Sequence, residues 1–166
     1  MVIRKTNEQD DLKEISHIYE ESWKWAYKGI IPQNFLDSIA EGKWIGHLKK
    51  NEMTSFAAEL NGTIIGTASV CRSRFECFAD YGEIVSIYFL PEFTGRGYGT
   101  LLIERTLDEL RSMGFEKAFL WVLEDNLNAR RFYEKNGFVK ADKSLDDNIG
   151  GKPLKEIAYV RELYAL

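Results

Sequence analysis

Residues 91–102 read Pro-Glu-Phe-Thr-Gly-Arg-Gly-Tyr-Gly-Thr-Leu-Leu, and they carry the strongest structural signal in this chain of 166 residues. Three glycines, Gly95, Gly97 and Gly99, follow an apolar run at 84–90 and precede an amphipathic one. This order predicts a strand, a glycine-rich turn and a helix. Glycine permits positive φ and lets a ligand approach the backbone closely, and the N–H groups at a helix start favour an anion. The pattern alone is typical of either a phosphate cradle or a tight turn.

Length and composition predict a single domain over residues 1–166 with a packed core. Apolar residues make up 45% of the chain and charged residues 29%, as in ordinary soluble proteins. The net charge of −4 argues against nucleic acid as the main partner, because proteins of that class usually carry a basic patch. A negative balance instead suits a cationic small substrate.

The cysteines and the N-terminal residues predict a cytoplasmic protein without a metal. Cys71 and Cys77 lie six residues apart, and His17 and His47 are the only histidines. This set fits neither a zinc site nor a disulfide framework. The chain starts without a basic-then-apolar signal, and no run reaches membrane-spanning length. We therefore expect reduced thiols and no contact with a membrane.

Hydrophobic periodicity and turn residues predict strands that alternate with helices. We expect strands at 2–5, 56–60, 63–70, 84–90, 119–123, 138–141 and 157–163. We expect helices at 8–27, 32–39, 43–50, 99–113 and 128–136. Asn61-Gly62 predicts a hairpin turn, and a loop with Gly150-Gly151 is expected between the last two strands. The order describes an α/β domain on a mixed sheet.

Two segments of the chain resemble the GNAT superfamily of N-acetyltransferases. Residues 83–100 are similar to the acetyl-CoA pyrophosphate loop of that family, with its Gln/Arg-x-x-Gly-x-Gly pattern. Residues 121–138, which end in Asn-Leu-Asn-Ala-Arg-Arg-Phe-Tyr-Glu-Lys-Asn-Gly-Phe, are similar to the second cofactor motif. The resemblance spans essentially the whole chain. It implies a mostly antiparallel central sheet of about six or seven strands with helices on both faces, in which strands 4 and 5 splay apart to bind acetyl-CoA.

The resemblance also implies which residues contact acetyl-CoA. Backbone N–H groups of the loop would bind the pyrophosphate, and the end of the fourth strand would pair with the pantetheine amides like an additional strand. The expected contacts are Tyr88, Phe89, Leu90, Thr94, Gly95, Arg96, Gly97, Tyr98, Gly99, Thr100, Asn126 and Tyr133. Thr94 stands where the family usually has Gln or Arg, so one side-chain contact is expected to be weaker, and Arg96 is a candidate to replace it. Asn128 is a candidate helix N-cap.

Acetyl transfer to an amine needs a base and an acid. An alkyl amine with a pKa of about 10.4 is almost wholly protonated at neutral pH, and only the neutral form is nucleophilic. Glu83 matches a glutamate of the family and is our candidate base, with Tyr81 and Ile84 expected to raise its pKa by desolvation. The alternative for Glu83 is a carboxylate at a strand edge or in a salt bridge. Tyr133 matches the family tyrosine that protonates the leaving thiolate, and its alternative is a core aromatic.

The acceptor side is specified only weakly by the sequence. Trp25 and Tyr27 do not both fit one helical stripe, so with Glu83 they are candidates to wall an acceptor pocket; ordinary packing is the alternative. We expect direct transfer in a ternary complex to a small amine, such as a polyamine, an amino acid or an aminoglycoside-like compound. A protein N-terminus or lysine is the second choice, and a non-catalytic acyl-CoA-binding regulatory module is the alternative class. The resemblance further implies a homodimer, for which the last strands are a candidate contact.

Overall fold

The computed structural model describes residues 1–50 and 52–164, which contain one sheet of seven strands. The strands are β1 (Val2–Lys5), β2 (Thr54–Leu60), β3 (Thr63–Arg72), β4 (Gly82–Phe89), β5 (Lys117–Leu123), β6 (Val139–Ile149) and β7 (Lys152–Glu162). Their order across the sheet is β1-β2-β3-β4-β5-β7-β6. Every neighbouring pair is antiparallel except β4 and β5, which are parallel. The predicted mostly antiparallel α/β sheet is confirmed.

Helices cover both faces of this sheet. Those in the described residues are α1 (Leu12–Ala26), α2 (Gln33–Asp37), α3 (Ile45–Leu48), α4 (Tyr98–Ser112) and α5 (Leu127–Lys135). None of them is long and apolar enough to cross a membrane. Each overlaps a helix that the sequence predicts, with ends that differ by a few residues.

The core is divided between the two faces by the alternation of the strands. Helix α4 buries Leu102, Ile103 and Leu107 on one face, in a cluster that α5 also contacts. Helix α1 buries Ile15 and Ile18 on the other face. Full burial of each such side chain contributes about 1.5–3 kcal/mol to stability. The two helical layers therefore hold the sheet in place from both sides.

Strand β4 departs from β5 after two residue pairs. Gly82 pairs with Ala118 and Glu83 with Phe119, and the parallel ladder ends there. A bulge also interrupts β4: its partner strand β3 pairs Ser69 with Ser86 and Val70 with Ile84, which leaves Val85 without a partner. Because a bulge inserts one extra residue, it shifts which side chains share a face of the strand.

The last two strands form a hairpin longer than the sequence predicts. Strands β6 and β7 have 11 residues each and are joined only by Gly150 and Gly151, whose φ angles are +62° and +83°. The prediction of two short strands around a loop was wrong, because β6 is largely exposed and its polar sequence resembles a loop. The tip of the hairpin docks on the N-terminal helices, where the Lys152 Nζ donates to the Ile30 carbonyl at 2.6 Å.

Candidate active site

The candidate site is the opening between β4 and β5. Beyond Glu83, the edge of β4 that faces β5 has no strand partner among the described residues, while β5 continues to pair with β7. The unpaired edge runs to Phe89 and leads directly to the glycine-rich loop. An extended ligand can therefore pair with free backbone groups along β4.

The glycine-rich loop has the geometry of an anion cradle. Gly95 and Gly97 have φ angles of +72° and +85°, and no heavy atom lies within 4 Å of a Cβ built on either. In residues 1–50 and 52–164, the N–H groups of Gly95, Arg96 and Gly97 have no hydrogen-bond acceptor. Gly97 is the N-cap of α4 and offers no side chain to cap the helix. These free donors and the helix N-terminus suit a phosphate group.

Other residues of the loop have structural partners. The Thr94 hydroxyl donates to the Pro91 carbonyl at 2.7 Å, so it closes a 3₁₀ turn. A Cβ on Gly99 would lie 3.0 Å from the Phe132 ring, so this glycine allows α4 and α5 to pack closely. The Arg96 guanidinium lies over an aromatic ring at 5.6 Å and remains exposed, which leaves a positive charge beside the cradle.

The residues that flank the loop make packing contacts and backbone hydrogen bonds within the protein. The ring of Tyr98 stacks on that of Phe89, with 6.5 Å between ring centroids. Leu90 donates its N–H to the Ile65 carbonyl at 2.9 Å, and Thr100 donates its N–H to the Gly97 carbonyl at 3.2 Å. Their backbone N–H groups are therefore already bonded, and contacts of Leu90 and Thr100 with a cofactor remain predictions.

Asn126 is the N-cap of α5. Its side-chain oxygen accepts a hydrogen bond from the Ala129 N–H at 3.1 Å, an interaction that stabilises a helix by about 1 kcal/mol. Asn128, for which the sequence predicted the cap, lies inside the helix. The helix starts earlier than the sequence predicted, because its first residue, Leu127, lies only four positions after Leu123, where β5 ends. The predicted contact of Asn126 with a cofactor remains a prediction.

Three tyrosines from both faces of the sheet converge at the opening. Burial raises the pKa of Tyr133 on α5 well above its usual range, and the nearby Tyr88 phenol adds to this. Burial raises the pKa of Tyr88 on β4 to about 12, and its hydroxyl accepts a hydrogen bond from Trp23 Nε1 at 3.1 Å. Burial, Tyr88 and Tyr133 raise the pKa of Tyr27. All three phenols are therefore neutral at pH 7 and available as proton donors.

The structure separates the two residues that were predicted to wall an acceptor pocket, and their contact with a substrate remains a prediction. Tyr27 belongs to the cluster, but 52% of Trp25 is exposed on the surface of α1. Trp23 takes its place, with its ring at 4.9 Å and nearly perpendicular to that of Tyr27. The reason is that α1 ends at Ala26 and Tyr27 is its C-cap, so the Tyr27 side chain no longer follows the helical stripe.

Glu83 lies away from these tyrosines, in an ion pair. Its side chain is 2% exposed, and Arg74 contacts it with Nη2 at 2.6 Å from Oε1 and Nε at 3.1 Å from Oε2. Tyr88 follows five residues later on β4, roughly 15 Å along the strand at about 3.3 Å per residue. Ile84, expected to desolvate the carboxylate, faces α4 on the other side. The geometry matches the salt-bridging alternative, and the base role of Glu83 remains a prediction.

Sequence reasoning missed a second carboxylate, Glu156 on β7. Burial raises its pKa, and the carboxylate of Asp147 on β6 adds to the effect. The charge of Glu156 in turn contributes to the raised pKa of Tyr27 and of Tyr88. The signal was the alternation Leu154-x-Glu156-x-Ala158, which puts Glu156 on the same face as two buried residues. It was overlooked because this segment was predicted to be a loop.

Comparison with known sequences gives one family. The sequence profile of the Acetyltransferase (GNAT) family matches residues 12–138. An uncharacterised N-acetyltransferase of Bacillus subtilis is 31% identical over 163 residues, which cover 95% of this chain and 91% of the relative. A spermidine N(1)-acetyltransferase of Thermoplasma acidophilum is 26% identical over 144 residues, covering 84% of this chain and 89% of the relative.

Solved structures share the fold over nearly the whole chain. The PaiA N-acetyltransferase from Thermoplasma acidophilum, crystallised in complex with coenzyme A, superposes with a TM-score of 0.74 at 23% identity, covering 98% of this chain and 99% of that one. The ribosomal-protein-S18-alanine N-acetyltransferase from Escherichia coli gives a TM-score of 0.72 at 19% identity, covering 99% and 95%. At these identities the likeness concerns the fold.

Proposed function

The chain belongs to the Acetyltransferase (GNAT) family, and from this membership we propose that it is an acetyl-CoA-dependent N-acetyltransferase. It transfers the acetyl group to a primary amine of a small molecule, directly and in a ternary complex. The observation that carries the proposal is the edge of β4, which has no strand partner beyond Glu83 in the described residues, leads to a loop with unpaired N–H groups there, and lies beside three half-buried tyrosines.

The donor half of the site suits acetyl-CoA. The N–H groups of Gly95, Arg96 and Gly97 would bind the pyrophosphate, with the Arg96 guanidinium adding a charge-assisted contact. The unpaired edge of β4, up to Tyr88 and Phe89, would pair with the pantetheine amides. A relative of the same fold was crystallised with coenzyme A, which supports this assignment.

The acceptor is proposed to be a polyamine or a similar cationic amine. A spermidine N(1)-acetyltransferase is among the relatives with high coverage, and the chain carries a net charge of −4. The Glu156 and Asp147 carboxylates beside the opening favour a cation there. A protein N-terminus is the second choice, since the likeness to a ribosomal-protein acetyltransferase is one of fold at 19% identity.

Tyr133 is the proposed acid. When the amine attacks the thioester carbonyl carbon, the C–S bond breaks and the sulfur leaves as a thiolate. A neutral phenol nearby protonates that sulfur, and burial keeps the Tyr133 phenol neutral at pH 7. A covalent acetyl-cysteine is not needed, because burial raises the pKa of the Cys71 thiol to about 11 and Cys77 is exposed.

Ligand-dependent melting tests the donor, and thiol release tests the reaction. Acetyl-CoA at ten to a hundred times its Kd should stabilise the protein by roughly 1.4–2.7 kcal/mol, and ATP and NAD should not. Free thiol should then appear from acetyl-CoA in the presence of spermidine. Equal stabilisation by all three nucleotides would refute the donor assignment, and acetyl-CoA binding without thiol release for any of spermidine, lysine and kanamycin would favour the non-catalytic alternative.

We also propose that the protein acts in the cytoplasm as a homodimer joined through β6. Both cysteines are free thiols, as expected in a reducing compartment. Strand β6 is an outer strand of the sheet with Val139 62% exposed, and an open edge favours pairing with a second copy. Light scattering on the purified protein should give twice the mass of the chain; a monomer mass would contradict the dimer.

A further inference from the structure

Glu156 borders the opening from the side of β5. It pairs with Leu123, the last residue of β5, and with Leu145 of β6. On the same face of β7, Leu154 packs with Leu123, and Ala158 packs beneath the aromatic cluster that includes Phe119. Glu156 is therefore the acidic side chain of β7 that stands between two apolar clusters, at the level where β4 and β5 have separated.

The same carboxylate lies on the side of the sheet that carries Tyr27. Its cross-strand partner Leu123 packs in one cluster with Tyr27, and its charge contributes to the raised pKa of Tyr27 and of Tyr88. Tyr133, the proposed acid, approaches those two phenols from α5 on the other face. Glu156 and Tyr133 thus flank the opening from opposite sides of the sheet, as an acid and a base on one reaction should.

A buried donor without a partner lies on the same face as Glu156. Among the described residues, Trp121 Nε1 is the buried side-chain polar atom that has no hydrogen-bond acceptor. Trp121 pairs with Ala158, two residues along β7 from Glu156. A buried donor without an acceptor destabilises the protein, so this face favours a ligand that brings an acceptor atom.

Glu83, in contrast, already has partners for both carboxylate oxygens. Arg74 donates to it three times, from Nη2 at 2.6 Å, from Nε at 3.1 Å and from its backbone N–H at 3.0 Å. Both oxygens of Glu83 are therefore engaged by Arg74, and an acceptor ammonium would have to displace these hydrogen bonds to reach the carboxylate.

We propose that Glu156, and not Glu83, takes the proton of the acceptor ammonium. The inference rests on the proposed amine acetylation and names the base of that reaction. Glu156 combines a position opposite the last residue of β5, the absence of any ion pair with a cationic side chain in the described residues, and a neighbouring carboxylate that raises its pKa.

The proposed reaction conserves protons and electrons. The ammonium gives one proton to the Glu156 carboxylate, and the lone pair of the resulting amine forms the N–C bond to the thioester carbonyl carbon. The electrons of the C–S bond leave with sulfur. The Tyr133 phenol donates its proton to that sulfur and recovers one from the nitrogen. Glu156 then releases its proton to water, so the products are an amide, a thiol and one proton.

The groups that face Glu156 set the pH at which it acts. Asp147 faces it from β6, Tyr27 from the end of α1 and Tyr88 from β4, while Leu123 of β5 carries no charge. Burial and the negative charge of Asp147 both raise the pKa of Glu156. The difference between this pKa and that of the acceptor amine is therefore smaller than for a free glutamate. The folded protein therefore binds this proton more tightly than a free glutamate does.

Kinetics of three variants over pH 6–10 test the proposal. Glu156→Gln should lower kcat/KM for spermidine about 100-fold near pH 7, and the loss should shrink as the pH approaches the amine pKa of about 10.4. Glu83→Gln should leave the shape of the profile unchanged. Asp146→Asn removes an exposed charge next to Asp147 on β6 and is the matched control, expected to behave as wild type. The Kd for acetyl-CoA should be the same in all four proteins.

A readout in the protein without acetyl-CoA separates this inference from the proposed function. Carbon-13 NMR of labelled glutamate should show one carboxyl resonance with a midpoint above the usual 4.3, absent in Glu156→Gln. A Glu156 midpoint at or below 4.3, or a pH profile of Glu156→Gln parallel to wild type, would overturn the proposal. A profile altered only in Glu83→Gln would return the base role to Glu83. Failure of acetyl-CoA binding, with the NMR result intact, would instead refute the proposed function.

Discussion

The chemistry of the site depends at the residue scale on phenols that stay neutral. Burial raises the pKa of Tyr27, Tyr88 and Tyr133, and the three side chains come from a helix end, a strand and a second helix. A carboxylate, Glu156, completes the group. Because the three phenols keep their protons more tightly than in the unfolded chain, their contribution to stability is present below their unfolded pKa of about 10 and is lost as the pH rises through their folded pKa values, which for Tyr88 is about 12.

Replacing Tyr133 by Phe removes one hydroxyl and keeps the ring, which packs against Phe132 and Phe138. We expect kcat to fall about 100-fold, since a general acid contributes roughly that much or more, while the acetyl-CoA Kd stays within twofold of wild type. Steady-state thiol release and calorimetry measure the two quantities. Tyr164→Phe, at a tyrosine that is 57% exposed, is the control. A Tyr133→Phe enzyme with wild-type kcat would remove the residue from the mechanism.

Two local features, the bulge in β4 and the αL glycines before α4, position the donor half of the site. The bulge at Val85 puts Glu83, Ser86 and Tyr88 on one face of β4, since their partners Cys71, Ser69 and Thr67 alternate regularly on β3. The αL glycines then turn the chain into α4 with free N–H groups. The strand edge and the helix N-terminus are thereby aligned in one continuous surface.

Gly97→Ala tests the cradle at the start of α4. An alanine in the αL region costs about 1–2 kcal/mol in stability, and its Cβ would project into the open space where an anion approaches. We expect acetyl-CoA binding to weaken about tenfold or more, measured by calorimetry. Gly114→Ala at the opposite end of α4 is the matched control, because Gly114 has φ +88° and equally open surroundings. It should lose similar stability and bind normally; equal weakening in both variants would argue against the cradle.

The N-terminal helices and the C-terminal hairpin meet around the acceptor side of the site. The β6–β7 hairpin packs on α2 and the segment before it, where Ile31 and Leu36 share a cluster with Leu154 of β7 and Leu123 of β5. The strand that carries Glu156 is thus held against the helix end that carries Tyr27. The acceptor half of the site depends on contacts between residues more than a hundred positions apart in the chain.

Gly150→Ala tests this contact between the hairpin and α2. The Cβ would lie 2.7 Å from the Cβ of Phe35, and φ is +62°, so we expect a loss of about 2–5 kcal/mol from strain and overpacking together. The KM for the amine should rise while acetyl-CoA binding is kept. Gly151→Ala has the same αL strain but no neighbour within 4 Å, so chemical denaturation should give a smaller loss of about 1–2 kcal/mol. Equal losses of stability in the two variants would mean that the contact between the hairpin tip and Phe35 does not contribute to stability.

Local patterns were sufficient to predict most of the fold, including the glycine turn of the candidate donor site. The strands, the helices, the Asn61-Gly62 turn and the glycine loop each depend on residues close in sequence, where periodicity and backbone preference act directly. The hairpin was the exception, because its exposed strand has no buried face that a period of two would reveal.

Local patterns were therefore enough to predict the sheet, the family and the glycine turn at Gly95–Gly99. Where the acidic side chains Glu83 and Glu156 lie depends, in contrast, on tertiary packing. Arg74 forms an ion pair with Glu83, and the pairing of β7 with β5 places Glu156 opposite Leu123, the last residue of β5. Such encounters depend on strand register and a bulge, and these are settled by packing between distant segments that no local pattern records.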